Sequence, residues 1–182
     1  MRGFTLIEML IVVAIIGILA ALLIPNAMSA LQKAKQKGTL KDINTIATGL
    51  MDYVTDNGKA PANQNGDLTQ TSPAYAALSG FYVKVLPVND QWGNPFQVFT
   101  GASCGSNQWG IPEPADGFGV DEFMVGSNGR NGTAGDFKYD TQYPDNNFYA
   151  VAKISDFNNE IVNWNGSLVI GPKTTGGGIS GT

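Results

Sequence analysis

The chain has 182 residues, a net charge of −4, 14% charged residues, 23 glycines and no histidine. The missing histidine removes the commonest general base and metal ligand, and the acidic balance gives no case for a nucleic-acid partner. A single cysteine, Cys104, excludes an intrachain disulfide, so the body holds together by packing or by a bound ion.

The first predicted element is apolar. From residue 9 to 24 every position is apolar or glycine, and Glu8 is the only charge between Phe4 and Ile24. At about 1.5 Å rise per residue this run is just long enough to cross a hydrocarbon layer of about 30 Å as a helix. Glu8 is the anomaly, since a carboxylate in that layer costs roughly 2.5–3.5 kcal/mol on insertion scales. A secretory signal is the runner-up for this segment. Such signals have a shorter apolar run and a clear small-residue cleavage site, which Pro25-Asn26-Ala27-Met28-Ser29-Ala30 only weakly resembles.

Beyond Pro25, Leu40, Ile43, Ile46, Ala47, Leu50, Met51 and Val54 recur at three- and four-residue spacings, one face of an amphipathic helix that Asp56-Asn57-Gly58 stops. The two halves read as one helix over residues 4–56, kinked or locally melted at Pro25, with Gly17 and Gly49 each lowering helix stability by roughly 1 kcal/mol. Lys33, Lys35, Lys37 and Lys41 read as a solvated or headgroup-facing surface.

The body follows. Residues 58–71 read as a loop and 74–78 as a short helical turn. Strands are predicted over 81–85, 96–99, 122–125, 148–152 and 167–170, and the tail 173–182 has no pattern and reads as flexible. One helix followed by several short strands implies an α+β fold, the long N-terminal helix packing its stripe on a small antiparallel sheet.

Three stretches are candidates for chemistry. Asp90-Gln91-Trp92-Gly93-Asn94-Pro95-Phe96 reads as a packing corner. The glycine-rich run over residues 126–136 lacks the Lys-Ser/Thr pair of a phosphate loop. It leaves a plain turn-rich loop or a calcium loop supplied by Asp121, Glu122, Asn128, Asp136 and Asp140. Asn131-Gly132-Thr133 and Asn165-Gly166-Ser167 match the glycosylation pattern, which carries little weight in an Asn-rich chain. Cys104 has no histidine to activate it and reads as inert. With no carboxylate pair in an acid–base setting, an enzyme is not expected.

The run Gly3-Phe4-Thr5-Leu6-Ile7-Glu8-Met9-Leu10-Ile11-Val12-Val13-Ala14-Ile15-Ile16-Gly17-Ile18-Leu19-Ala20-Ala21, with Pro25, resembles the N-terminus of type IV pilins and type II secretion pseudopilins. The resemblance implies a pilin-like fold. It divides the chain into a leader (1–3), a transmembrane and filament-core helix (4–27), an amphipathic extension (28–57), a globular β domain (58–172) and the tail. It implies cleavage between Gly3 and Phe4 by a prepilin peptidase, and N-methylation of Phe4. The product is a single-pass protein of the bacterial inner membrane with its body in the periplasm. That protein is then built into a homo-oligomeric helical filament in the periplasm or at the cell surface. An inner-membrane assembly platform and a cytoplasmic assembly ATPase are the implied partners, together with membrane lipid.

On that reading Glu8 pairs with the Phe4 amine of a neighbouring subunit, and the four-residue spacing puts both on one helix face. The alternative for Glu8 is a first-turn acid favoured by the helix dipole. The positive-inside rule points the other way on topology, with Arg2 before the span and four lysines after it. The resemblance overrides it, because the peptidase site must face the cytoplasm.

Leu86-Pro87 and the corner at 90–96 look like major pseudopilins, and residues 121–129 are similar to their calcium-binding loop. Met124 and Asn128 depart from that loop, leaving the Val125 carbonyl, the Asn128 side chain and Asp136 as candidate ligands. No cofactor is required on this reading, and Ca2+ is the one the loop suggests. Residues 137–182 exceed the pseudopilin pattern and read as an extra hairpin on the filament surface. The best match is the major pseudopilin of a type II secretion system. The alternatives are a true type IV pilin, serving motility or adhesion, and a secreted or membrane-anchored calcium- or carbohydrate-binding module.

Overall fold

The computed structural model describes residues 4–62 and 64–173, so the proposed leader and all of the tail beyond Lys173 lie outside the described residues. The chain forms two compact units that part between Ala34 and Lys35.

Helix α1 runs from Leu6–Asn57 and contains Pro25 without a break. The predicted melting at Pro25 is therefore corrected. Proline loses the hydrogen bond its own N–H would give to the carbonyl four residues earlier, yet the helix continues on both sides of it. The helix stops as the sequence says, with Gly58 at φ 69° and its N–H donating to the Val54 carbonyl at 2.7 Å. That left-handed conformation is one that glycine adopts without a Cβ penalty.

In the first unit the apolar side chains are exposed all round the helix, Leu10 at 61% and Leu22 at 66% among them, and the helix is long and apolar enough to cross a membrane. In the second unit Ile43, Ile46, Ala47 and Leu50 are buried, each large side chain contributing about 1.5–3 kcal/mol. Met51 departs from the predicted stripe and is exposed.

The sheet has six strands, β1 (Asn65–Asp67), β2 (Gln97–Thr100), β3 (Phe123–Ser127), β4 (Phe148–Tyr149), β5 (Ile161–Trp164) and β6 (Ser167–Pro172), in the order β1-β2-β3-β5-β6-β4. Every pairing is antiparallel except β4 with β6. Alternation along the strands sorts the core into two layers. Val98, Phe123, Val125 and Ile161 join the α1 stripe, while Phe99, Met124, Val162 and Ile170 pack on the other face with Trp109, Cys104 and Tyr149.

The predicted helical turn is α2 (Pro73–Leu78), and the predictions at 96–99, 122–125 and 167–170 fall on β2, β3 and β6. Three expectations are corrected. Residues 81–85 form a turn with one bridge, Val83 to Ser79, because Val83 tucks against α1 while Phe81 and Val85 point outward with no partner strand. The strand at 148–152 shrinks to Phe148–Tyr149 because residues 152 and 153 give their N–H groups to the Asp156 carboxylate, at 2.8 and 2.7 Å. The extension is no added surface hairpin. Its strands β5 and β6 are sheet members, β5 lying directly beside β3 with Ile161 and Val162 fully buried. Asn165 (φ 49°) and Gly166 (φ 85°) make the two-residue turn between them, the Asn-Gly chemistry that such hairpins demand.

Candidate functional site

At the start of α1 the sequence Thr5-Leu6-Ile7-Glu8 forms a reciprocal cap. The Glu8 carboxylate accepts the Thr5 N–H at 2.8 Å and the Thr5 hydroxyl at 2.7 Å, and the Glu8 N–H donates back to Thr5 Oγ1 at 3.4 Å. This is the Thr-x-x-Glu capping box, which satisfies N–H groups that a helix start leaves orphaned. Its sequence signature stood in plain view behind the family resemblance. Phe4, at 82% exposed, precedes the cap, and Pro25 lies inside the helix. Gly3 lies outside the described residues. Among the described residues, therefore, the Glu8 carboxylate is held by Thr5 at the exposed start of an apolar helix.

The corner at 90–96 is built around Asp90, which is buried. Its Oδ1 accepts the N–H groups of Trp92 and Asn94, each at 2.9 Å, and its Oδ2 accepts the Ser127 hydroxyl at 2.7 Å. Asn94 Nδ2 then donates to the Gly129 carbonyl at 2.9 Å, and Gln91 binds α1 through Thr39 and Asp42. The packing-corner reading stands, and the carboxylate is its hub.

The glycine-rich loop after β3 has its own anchor in Glu160, a residue the sequence reading passed over. Glu160 is fully buried and accepts the backbone N–H groups of Gly135, Asp136 and Phe137 at 2.5, 3.1 and 2.7 Å. Burial pushes its carboxyl above the ordinary glutamate value, and the three N–H groups pull it back toward the charged form.

The candidate calcium ligands are engaged elsewhere. Val125 sits in the middle of β3 between β2 and β5, where carbonyls serve the sheet ladders. Asn128 Oδ1 accepts the Trp109 indole N–H at 3.3 Å, and the Asp136 carboxylate accepts the Asn131 amide. The supplementary acids are also occupied. Glu122 takes Gly119 N–H at 2.7 Å. Asp140 takes Asn146, Tyr143 and Gln142, and those hydrogen bonds, that from Asn146 first, hold its carboxyl below the usual range. Among the described residues no group of three or more acidic or cysteine side chains converges as a metal holder. This donor set is not an open oxygen shell of the kind calcium takes.

Cys104 is buried against the second core layer, and burial pushes its thiol up to about 12, with the Glu122 charge adding to the shift. That is the environment of an inert thiol.

Comparison with known proteins gives two family matches, the prokaryotic N-terminal methylation motif over residues 1–24 and type II secretion system protein G over residues 26–142. Similar proteins include the type II secretion system core protein G of Aeromonas hydrophila, 34% identical over 74% of this chain and 88% of the relative. That of Pseudomonas aeruginosa is 36% identical over 71% and 86%, and that of Vibrio cholerae 33% identical over 73% and 85%. No solved structure matches the chain.

Proposed function

The chain belongs to the type II secretion system protein G family, and we propose that it is the major pseudopilin of such a system, a non-enzymatic subunit that works by polymerising. The observation that carries this reading is the first half of α1, a rod of exposed apolar side chains with one acid at its tip. Such a rod is stable only in lipid or against copies of itself, and the two environments suit storage and assembly in turn.

On this proposal the subunit is cut between Gly3 and Phe4, methylated on the Phe4 amine, and held in the inner membrane with its body in the periplasm. The assembly platform and its ATPase then draw it into the filament. There the Glu8 carboxylate exchanges Thr5 for the amine of a neighbouring Phe4. The exchange leaves no unpaired charge in the apolar filament core, where one costs about 3–5 kcal/mol. The loop at 126–136 is held by Glu160 in place of an ion, and no cofactor takes part.

Mass spectrometry of the mature protein tests the processing step. A chain beginning at N-methylated Phe4 supports the reading, and one beginning near Leu31 replaces it with a secreted module. Electron microscopy of sheared material tests the assembly, since long surface fibres in place of short periplasmic ones make the protein a pilus subunit. A reporter active only outside the cytoplasm, fused at the C-terminus, tests the topology.

A further inference from the structure

An open groove of about 700 Å³ lies in the second unit between α1 and the turn at 82–84. Lys37, Lys41 and Lys84 line it, over a floor that includes Leu40 and Val83. Among the described residues no carboxylate pairs with any of the three ammonium groups. The nearest acid in sequence, Asp42, is held by Gln91 at 2.7 Å. Beside the groove, Phe81 and Val85 stand 82% and 81% exposed on either side of buried Val83. Two such side chains in solvent next to an unpaired basic groove mark a contact surface.

The same chain carries the complement. Residues 113–122 hold Glu113, Asp116, Asp121 and Glu122 with no lysine or arginine among them, and Val120 projects from this segment at 69% exposure. The segment is firmly seated. Phe118 packs in the second core layer, against Trp164, and the Val120 carbonyl accepts the Ala60 N–H at 2.9 Å. The groove belongs to the α1 side of the sheet and Phe118 to the opposite layer, and each surface carries one sign of charge and so repels its own copy. Two different complementary surfaces make a heterologous contact, the kind that repeats head to tail into a helical filament when its rotation does not close into a ring.

We propose that the acidic segment 113–122 of one copy docks in the Lys37–Lys41–Lys84 groove of the next, with Val120 against Phe81 and Val85. This rests on the filament reading and deepens it by naming the contact between bodies. Charge sets the register and the apolar tip adds burial.

The test uses the full chain, produced together with its secretion machinery, and measures the filaments recovered by shearing and sedimentation. Lys41→Glu with Lys84→Glu is expected to lower filament yield by roughly tenfold, because like charges now face each other across the contact. Adding Asp116→Lys and Asp121→Lys restores the yield. In filaments of the Lys84→Cys, Asp116→Cys variant, oxidation gives a ladder of covalent multimers, with buried Cys104 contributing none. Wild-type yield from the lysine reversals, or filaments without a ladder, overturns the proposal and leaves the filament reading intact. A loss that follows anionic lipid content and ignores the acidic reversals makes the groove a lipid contact, which also overturns it. If the unsubstituted chain forms no filaments, the filament reading fails and the docking contact fails with it.

Discussion

The Asn128 side-chain oxygen accepts the Trp109 indole N–H at 3.3 Å, with both residues buried. A calcium ion recruiting Asn128 would have to share that oxygen with the indole N–H, and any shift of Asn128 that broke the bond would leave a buried N–H without an acceptor, a loss of about 1–3 kcal/mol. Titration of the detergent-solubilised protein is therefore expected to give no binding heat at millimolar calcium, with Asp136→Ala behaving the same. A heat of binding that Asp136→Ala removes would restore the calcium site.

Glu160 ties the end of the glycine-rich loop down through three backbone N–H groups. Glu160→Ala strips the acceptor from three N–H groups and is expected to cost about 1–3 kcal/mol, since water reaches this partly open loop and replaces some of the loss. Thermal unfolding by circular dichroism measures it. The pH dependence follows from burial, which makes the folded protein hold the Glu160 proton more tightly than the unfolded chain does. The contribution is complete below the ordinary value of 4.5 and is lost as pH rises from there through the raised value. Relative to Glu160→Gln, wild-type stability should decline across that window, and a rise would mean that the N–H groups outweigh burial.

Gly49 is more than a tolerated weak point in α1. A Cβ there would lie 2.5 Å from Val83 Cγ2, closer than packing allows, so the glycine is the notch that seats the 82–84 turn. Gly49→Ala gains about 1 kcal/mol of helix propensity and meets an overpacking cost of about 1–3 kcal/mol, for a small net loss. Val83→Ala removes the clashing methyl, so the two substitutions should be non-additive in a double-mutant cycle. Simple additivity would show that Val83 moves aside freely.

The long helix, the stripe at 43–50 and three strands were legible because their periodicity is local and strong. What escaped depended on partners distant in sequence. Residues 161–164 have no alternation to advertise them, because β5 is buried on both faces between β3 and β6. Asn165-Gly166 was a hairpin signal overshadowed by a glycosylation pattern. Glu160 and Asp90 carry no motif, and their importance comes from which N–H groups the fold brings to them. Phe81 and Val85 alternate like a strand, yet the exposed alternation belongs to a turn, which only the absence of a neighbouring strand could reveal.

Cys104 offers a check on the second core layer. With the folded thiol pushed up to about 12 against an ordinary 9.0, it should resist alkylation at pH 8 in the native protein and react fully once unfolded. The folded state holds the proton more tightly, so its stability from this group is complete below pH 9 and declines as pH rises toward 12. Native labelling at pH 8 would mean that the layer of Phe99, Trp109 and Met124 opens readily.

Glu8 caps α1 in the structure, and the filament proposal gives it a second role that one substitution can separate from the first. As a cap it accepts the Thr5 N–H and hydroxyl at the exposed start of α1, a role that Gln can largely keep through its amide oxygen. On the filament proposal it would also supply a negative charge to a neighbouring amine, which Gln cannot do, and an unpaired charge in an apolar core costs about 3–5 kcal/mol. An uncompensated charge in an apolar core outweighs an exposed cap, so on that proposal charge pairing should decide the outcome. Glu8→Gln and Glu8→Ala are both expected to leave the subunit processed and in the membrane but absent from filaments. Thr5→Ala, which weakens the cap and spares the charge, should still assemble at a modestly reduced yield. The measurement is the share of subunit in sheared filaments, with the methylated N-terminus confirmed by mass spectrometry. Normal assembly of Glu8→Gln together with failure of Thr5→Ala would reverse the assignment and make the acid a helix cap alone.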